Sequence, residues 1–249
     1  MVRWAVLSLV GIMLWVLPAS PLWADETTEP EVVCSNIAPF VFVEQQHYRG
    51  YAYELGQEVM RRLGYHGAIQ VQPLARANRT VQTKPNVIAL WVGRIPEREA
   101  TVHWLYPVVV DDFSIYTVKG RPAAMMLEQA KSLGMLGANI GAANAIAAQR
   151  KGLIQIEMIT SDDANGRKLM TGRLDGWIAS STAVSYFLRL HGLPEETFVK
   201  GVKLSDYQAW VVASLDSDPA VITAWKTTLQ AMEQDGTLSR LAREYHIQR

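Results

Sequence analysis

Apolar and polar positions follow two different periodicities along the chain, and segments with one periodicity alternate with segments that have the other. Residues 69–72 alternate with a period of two and residues 87–92 form a continuous apolar run, which are patterns of strands. Residues 53–63 carry apolar side chains at helical spacing and are followed by a glycine stop signal. The same criteria predict further strands at residues 31–34, 108–118, 139–143, 154–159, 174–179 and 207–213. They predict helices at residues 123–133, 182–190 and 219 to about 235. They also predict a helix that ends near residue 152, one that contains residues 169–170 and a last one that begins at residue 238. This alternation predicts an α/β fold with largely parallel sheets.

The first 24 residues have a different pattern. Arg3 precedes an apolar run over residues 4–17, and small residues precede the acidic start at Asp25 and Glu26. This order predicts a secretory signal peptide at residues 1–24, and with it a periplasmic location. The alternative is an uncleaved membrane anchor, which the apolar run disfavours because a span needs about 20 apolar residues.

The composition indicates an ordinary globular protein and excludes several classes. Of the 249 residues, 49% are hydrophobic and 19% charged, which is enough apolar sequence for a sizeable core. The 24 basic residues balance 24 acidic ones, which argues against a nucleic-acid partner. The single cysteine, Cys34, excludes an internal disulfide, and the five histidines are widely scattered. We therefore expect no metal and no cofactor.

Fragments of several catalytic and metal-binding motifs occur, and each is incomplete. Ser180 and Ser181 lack the glycines of a nucleophile elbow, and residues 134–141 lack the lysine of a phosphate loop. The segment that begins at Ser161 resembles the start of a calcium loop without its acidic first and twelfth ligands. A helix capped by Ser161 or Asp162 is the favoured interpretation of that segment. No catalytic constellation stands out, so we expect a protein that is not an enzyme.

One segment has a more specific pattern. The apolar strand at residues 87–92 leads into a turn that contains Pro96, Glu97 and Arg98, and an aromatic stretch at residues 103–107 follows. A solvated turn with exposed ion pairs, each contributing about 0–1 kcal/mol, is the simplest interpretation of the charges alone.

This segment resembles the Pro-Glu-Arg turn of the extracytoplasmic solute-binding proteins of family 3, which have the type II periplasmic-binding fold. Five further segments resemble motifs of that family in the same order, and residues 73–77 resemble an element of a divergent subgroup. The five segments are residues 38–55, 73–77, 169–175, 207–210 and 235–245. The resemblance covers residues 31–246, nearly the whole chain after the predicted signal peptide.

The resemblance implies two α/β lobes joined by a hinge of two crossing strands. Lobe 1 would comprise residues 25–114 plus 207–249, and lobe 2 would comprise residues 115–206. The hinges would lie near residues 112–117 and 204–207. A ligand would bind in the cleft between the lobes, which would close by hinge rotation.

The resemblance also implies a ligand site, with departures from the family pattern. Arg98 matches the arginine that clamps the ligand's carboxylate, and a guanidinium suits that role because it donates bidentately. Ser180 stands where amino-acid binders have the aspartate that holds the ammonium group, and Asn144 and Ala145 stand near the loop that offers backbone N–H groups. We therefore expect a small carboxylate or other anionic solute rather than a standard zwitterionic amino acid. The remaining candidate ligand contacts are Phe40, Arg76 and Trp91.

Two functions from different classes follow from the resemblance. The first is a non-catalytic, monomeric periplasmic binding protein for a small carboxylate-bearing solute, with a membrane transporter permease or a sensor as its partner. The alternative is an enzyme on the same fold, a lyase resembling cyclohexadienyl dehydratase. That chemistry needs a general acid or base in the cleft. The nearby carboxylates are Glu97, Glu99, Asp111 and Asp112, and the sequence places none of them in the cleft.

Overall fold

One mixed eight-stranded sheet and a small hairpin carry the architecture of residues 29–247, the part that the computed structural model describes. The predicted signal peptide lies outside the described residues. The described strands are β1 (Glu31–Ser35), β2 (Phe42–Glu44), β3 (His47–Arg49), β4 (Gln70–Gln72), β5 (Val87–Gly93), β6 (His103–Val118), β7 (Leu136–Asn139), β8 (Ile156–Ile159), β9 (Gly176–Ser180) and β10 (Phe198–Ala213). The described α-helices are α1 (Tyr51–Leu63), α2 (Leu74–Thr83), α3 (Leu127–Ser132), α4 (Ala143–Arg150), α5 (Asp162–Met170), α6 (Ser181–Leu190), α7 (Pro219–Gln234) and α8 (Thr237–Glu244).

The order of strands in the sheet is β4-β1-β5-β10-β6-β9-β7-β8, with parallel pairing toward both edges. Strand β1 pairs in parallel with β4 and β5, and β7 pairs in parallel with β8 and β9. Strands β6 and β10 pair antiparallel with each other in the middle of the sheet. These two strands also pair antiparallel with their outer neighbours, β10 with β5 and β6 with β9. The prediction of an α/β fold is therefore confirmed, and the predicted parallel pairing holds among β4, β1 and β5 and among β9, β7 and β8.

The central strands β6 and β10 run through both halves of the molecule. Each has 16 residues, and their pairing extends from Phe198 opposite Val118 to Ala213 opposite His103. One half of the sheet continues from β10 into β5, and the other continues from β6 into β9. This is the two-lobe architecture with a hinge of two crossing strands that the resemblance implied.

Each lobe has its own hydrophobic core. In lobe 1, the predicted stripe on α7 is buried, and Trp225 and Leu229 pack in one cluster with Leu55 and Val59 of α1. In lobe 2, Trp177 packs in a separate cluster with side chains of α5 and α6. Separate cores allow the lobes to move as units.

Several elements differ from the sequence prediction. Helix α2 and the β2–β3 hairpin were not predicted, and β10 begins at Phe198 rather than near residue 207. Helix α2 buries the apolar side chains Ala77 and Val81 and otherwise polar ones, so its apolar pattern is weak. Strand β7 ends at Asn139, where the predicted strand began, so residues 140–142 form the turn into α4. Among residues 29–247, none of the helices has the length and apolar character needed to cross a bilayer.

Candidate functional site

A cleft between the two lobes contains two adjoining chambers. The inner chamber has a volume of about 40 Å³ and the outer chamber about 480 Å³. Walls of both chambers come from each lobe, and five residues line both: Ile37, Leu74, Asn139, Asp162 and Ala183. The inner chamber accommodates about three water-sized groups, at roughly 10–15 Å³ for each.

Arg98 lines the inner chamber. A short 3₁₀ turn, Pro96–Arg98, follows β5 and directs the arginine side chain inward, where it is 7% exposed. Its Nη1 donates to the carbonyl oxygen of Gly93 at 3.0 Å, and its Nη2 donates to the carbonyl oxygen of Gly141 at 2.9 Å. Burial lowers the pKa of the guanidinium. The turn therefore holds a buried cation at the cleft, which a solvated turn would not.

The other charges of the same turn do form the exposed ion pairs that the simplest interpretation predicts. Arg94 pairs with Glu99 and stacks over the rings of Trp104 and Trp210. Glu97 pairs across the lobes with Arg150 of α4, with Nε and Oε1 3.0 Å apart. Arg98 is thus the exception within its turn, since none of these neighbours lines either chamber.

Aromatic side chains form the floor of the inner chamber. Phe40 stacks on Trp91 with ring centroids 3.7 Å apart, and both line the chamber. Tyr207 of β10 and Phe113 of β6 line it from the crossing strands, with centroids 4.3 Å apart. The structure therefore brings two predicted contacts, Phe40 and Trp91, together with Arg98.

The predicted polar contacts of lobe 2 are largely used within the lobe. Ser180 lines the inner chamber, and its hydroxyl oxygen accepts the N-cap hydrogen bond from the Ala183 N–H at 3.2 Å. Asn144 lines the chamber too, but its amide donates to the Ile178 carbonyl and accepts from the Ala145 N–H, each at 2.7 Å. Ala145 packs in a hydrophobic cluster and lines neither chamber.

Arg76 is exposed and lines neither chamber. It lies near the start of α2, which contributes Leu74 and Ala75 to the walls instead. The structure therefore does not bring Arg76 together with Arg98.

Asp162 is the cleft residue that sequence reasoning missed. It lines both chambers, and burial raises the pKa of its carboxyl to about 6, although Asn139 and Trp177 favour its charged form. The sequence predicted Ser161 or Asp162 as the cap of α5, and the structure has the hydroxyl of Ser161 in that role, which accepts from the Ala164 N–H at 3.2 Å. Because one side chain suffices to cap a helix end, the presence of two candidate caps was the signal in the sequence that Asp162 was available for another role.

Asp162 is a cleft carboxylate that was not among the four considered from the sequence. The four acidic residues considered from the sequence line neither chamber: Glu97, Glu99, Asp111 and Asp112. Asp112 accepts a hydrogen bond from Lys200 Nζ at 2.7 Å, and Asp111 accepts from the Thr182 N–H at 3.1 Å. These two lie on the hinge strand β6 and bind neighbouring elements rather than facing the cleft.

The outer chamber has mostly apolar walls and two acidic side chains, Asp162 and Asp163. Large side chains from both lobes line it, including Tyr48, Leu74, Ile140, Tyr186 and Leu190, and its described walls contain no Lys, Arg or His. Its second acidic wall residue is Asp163. That carboxylate is already neutralised, because it lies 2.7 Å from Arg167 Nε and 2.6 Å from His191 Nε2.

A glycine contact joins the two lobes beside Arg98. The carbonyl oxygen of Gly141, in lobe 2, accepts hydrogen bonds from Arg98 Nη2 at 2.9 Å and from Asn78 Nδ2 at 3.1 Å, both in lobe 1. A Cβ at Gly141 would lie 2.8 Å from the Cβ of Ala75, so a side chain there would obstruct the approach. These contacts describe a closed arrangement of the cleft.

Comparison with known proteins agrees with this geometry. A sequence model of the bacterial extracellular solute-binding proteins, family 3, matches residues 32–248. The chain belongs to this family. The expected resemblance is therefore confirmed, and no curated protein sequence matches the chain.

Solved structures share the fold at low sequence identity. A substrate-binding protein of an ABC uptake transporter from Streptococcus pneumoniae with bound histidine has a TM-score of 0.76 at 14% identity, covering 87% of this chain and 92% of that one. A histidine kinase sensor domain similar to periplasmic binding proteins has a TM-score of 0.76 at 15% identity, covering 88% and 96%. The ancestral amino acid-binding protein AncCDT-1, a precursor of cyclohexadienyl dehydratase, has a TM-score of 0.73 at 18% identity, covering 87% and 95%. These likenesses establish the type II periplasmic-binding fold.

The family assignment gives this chain an extracytoplasmic setting and small solutes as its ligand class. Across residues 29–247, no three His, Cys, Asp or Glu side chains are grouped in a way that suits a metal ion.

Proposed function

We propose that the protein is a periplasmic binding protein that captures a small carboxylate-bearing solute between its lobes and presents it to a membrane transporter permease or a sensor. The observation that carries the proposal is Arg98, a buried cation at the inner chamber that forms no ion pair among the described residues. A buried charge costs several kcal/mol unless it is paired. A ligand anion is the partner that would offset this cost.

The size of the inner chamber supports a carboxylate in particular. At about 40 Å³ it holds one small group rather than a whole solute. A guanidinium presents a planar fork of donors that matches a carboxylate, and the desolvated surroundings strengthen such hydrogen bonds. Two of its N–H groups donate to the carbonyls of Gly93 and Gly141, and the remaining ones can serve the ligand.

The proposal extends to the export of the chain and to the boundaries of its lobes. Residues 1–24 act as the signal peptide, and the mature protein has lobe 1 at residues 25–114 plus 207–249 and lobe 2 at residues 115–206. N-terminal sequencing of the exported protein should then begin at Asp25. A mature chain that still starts at Met1 would favour the membrane anchor instead.

Substitution of Arg98 tests the proposed function. Native mass spectrometry of protein purified from its own periplasm identifies the solute, and calorimetry measures its affinity for each variant. Loss of a buried charged hydrogen bond costs about 2–5 kcal/mol, so Arg98→Ala should weaken binding by more than tenfold. Arg94→Ala, in the same turn but outside both chambers, is the matched control and should bind like the wild type. Equal affinities for Arg98→Ala and wild type would refute the proposal.

A lyase is the second candidate, because Asp162 supplies the cleft carboxyl that such chemistry needs. A pKa of about 6 is within the range of useful general acids near neutral pH. Incubation with prephenate or arogenate, followed by absorbance, separates the two functions. We expect no turnover. Turnover that is lost in Asp162→Asn would establish the enzyme.

A further inference from the structure

Large apolar side chains are exposed to solvent at the outer chamber. Tyr48, Ile140 and Leu190 are among the exposed large hydrophobic residues of the protein, and all three line this chamber. Tyr48 comes from the β2–β3 hairpin in lobe 1, whereas Ile140 follows β7 and Leu190 ends α6 in lobe 2. Exposed apolar groups that gather from separate segments are typical of a surface that another molecule covers.

Apolar side chains also line the passage between the two chambers. Of the five residues that line both chambers, Ile37, Leu74 and Ala183 are apolar. Arg98 lies in the inner chamber, whose volume of about 40 Å³ admits one small group, while the outer chamber has about 480 Å³. Pockets of about 300–1,000 Å³ are typical of small-molecule sites. A solute held at Arg98 by its carboxylate would therefore extend along apolar walls into the outer chamber.

The charges of the outer chamber disfavour a second charged group on the solute. Its described walls carry Asp162 and Asp163 and no basic side chain. Arg98 can offset the charge of one carboxylate, but it lines only the inner chamber. The Asp163 carboxylate is already paired with Arg167 and His191, so it offers little to a cation. An uncharged body fits these walls without the cost of a further desolvated charge.

We infer that the solute is a monocarboxylate with an uncharged apolar or aromatic body: Arg98 binds the carboxylate in the inner chamber, and the apolar walls of the outer chamber select the body. The inference deepens the proposed function and rests on it, since it takes the Arg98 contact as given. Affinity should then increase with the apolar length of the solute, by roughly two- to fourfold for each methylene group that is buried. Leu190, at the outer end of this wall, is a specificity-determining residue.

Two series of probes test the inference. The first varies the length alone and consists of butanoate, hexanoate and octanoate. The second keeps six carbons and varies the far end, which is a methyl group in hexanoate, a carboxylate in hexanedioate and an ammonium group in 6-aminohexanoate. Calorimetry on the full mature protein measures each affinity over a range of temperatures, because burial of apolar surface makes the heat-capacity change of binding negative.

We expect octanoate to bind more than tenfold more tightly than butanoate, with a more negative heat-capacity change. Hexanoate should bind more than tenfold more tightly than hexanedioate or 6-aminohexanoate, because each of these would place a second charge against apolar walls. An affinity that does not increase with length overturns the inference. A charged six-carbon probe that binds as tightly as hexanoate overturns it too, as does a protein that binds none of the probes.

Two exposed leucines provide a matched pair of variants. Leu190 is 56% exposed and lines the outer chamber, whereas Leu215 is 51% exposed and lines neither chamber. Because both side chains are exposed, truncation should leave the fold intact, which circular dichroism verifies. Leu190→Ala should weaken octanoate binding by roughly three- to tenfold and leave butanoate binding within about twofold. Leu215→Ala should bind both acids like the wild type, and equal effects of the two substitutions would contradict the inference.

Arg98→Ala separates failure of the inference from failure of the proposed function. If the probe series fails, but the solute recovered from the periplasm is a carboxylate that Arg98→Ala binds more than tenfold more weakly, the inference is wrong and the proposed function stands. If Arg98→Ala binds both the recovered solute and octanoate as tightly as the wild type does, the proposed function is refuted and the inference falls with it.

Discussion

We expect the partly buried carboxyl of Asp162 to make the folded protein less stable than a neutral side chain would. Burial raises the pKa of its carboxyl from 3.8 to about 6, so the folded state holds the proton more tightly than the unfolded chain does. The contribution of the Asp162 carboxyl to the free energy of unfolding is therefore most favourable below about pH 4, and it decreases as the pH rises to about 6. Asp162→Asn should raise the free energy of unfolding at pH 7.5 by roughly 1–3 kcal/mol, at about 1.4 kcal/mol for each pKa unit.

Thermal melts at pH 7.5 and pH 4 measure this effect. The melting temperature of Asp162→Asn should exceed that of the wild type by several degrees at pH 7.5, since about 1 kcal/mol corresponds to roughly 2–4 °C for a protein of this size. The difference should shrink at pH 4. Asp163→Asn, which loses its pairs with Arg167 and His191, should not be stabilised at either pH. A less stable Asp162→Asn at pH 7.5 would mean that the carboxylate has a structural partner.

At the residue scale, sequence reasoning identified Arg98, which belongs to a family motif, and missed Asp162, which does not. Arg98 was identified from its turn, and the structure places it at the cleft as a buried cation. Asp162 follows a serine that serves equally well as a cap, and nothing local shows which of the two faces a cleft built from distant segments. Asn144 was predicted from its position in the chain, but its amide hydrogen bonds are used within lobe 2.

At the scale of elements, the turn between β7 and α4 contacts the other lobe, so we expect it to limit how closely the lobes approach. Gly141 has a φ of 73°, and its carbonyl accepts the hydrogen bonds that Arg98 and Asn78 send from the other lobe. A Cβ at this position would lie 2.8 Å from the Cβ and 3.0 Å from the Cα of Ala75. A methyl group there would therefore hold the lobes apart.

Gly141→Ala tests this role against a control of equal backbone strain. Gly120 has a φ of 87°, and no other group lies within 4 Å of the position that a Cβ would take there. Gly120→Ala therefore carries the left-handed strain of about 1–2 kcal/mol without the obstruction. We expect Gly141→Ala to weaken solute binding by more than tenfold and Gly120→Ala to leave it within about twofold, with similar losses of stability. Equal affinities in calorimetry would show that the glycine contact does not limit closure.

Elements with strong apolar periodicity were predicted well, and elements that depend on tertiary pairing were not. The stripe on α7 appeared in the structure as predicted, because four apolar residues at helical spacing require a buried face. The first half of β10 was missed because its burial is interrupted, and it forms through pairing with β6 instead. Helix α2 was missed because small and polar side chains, such as Ala77 and Asn78, make up most of its buried face.

At the scale of the whole molecule, the hydrophobic clusters of the two lobes are largely separate and the lobes are joined by β6 and β10, which makes hinge closure the expected motion. The contacts that cross the cleft are few: two hydrogen bonds to the Gly141 carbonyl and the exposed pair of Glu97 with Arg150 are the clearest of them. An exposed pair contributes at most about 1 kcal/mol, so the solute itself should supply much of the energy that keeps the lobes closed.

Small-angle X-ray scattering measures this motion directly. The radius of gyration should decrease when the solute identified from the periplasm is added at saturating concentration. Gly141→Ala should show a smaller decrease than the wild type. Superimposable profiles with and without solute would contradict hinge closure.

The central claim is that Arg98 binds the anionic group of a solute inside the cleft. Calorimetric titration of the solute recovered from the periplasm into wild type, Arg98→Ala and Arg94→Ala tests it most directly. We predict that Arg98→Ala loses more than tenfold in affinity while Arg94→Ala, whose side chain lines neither chamber, matches the wild type. Binding of equal strength in all three proteins would contradict the claim and return Arg98 to a purely structural role between the Gly93 and Gly141 carbonyls.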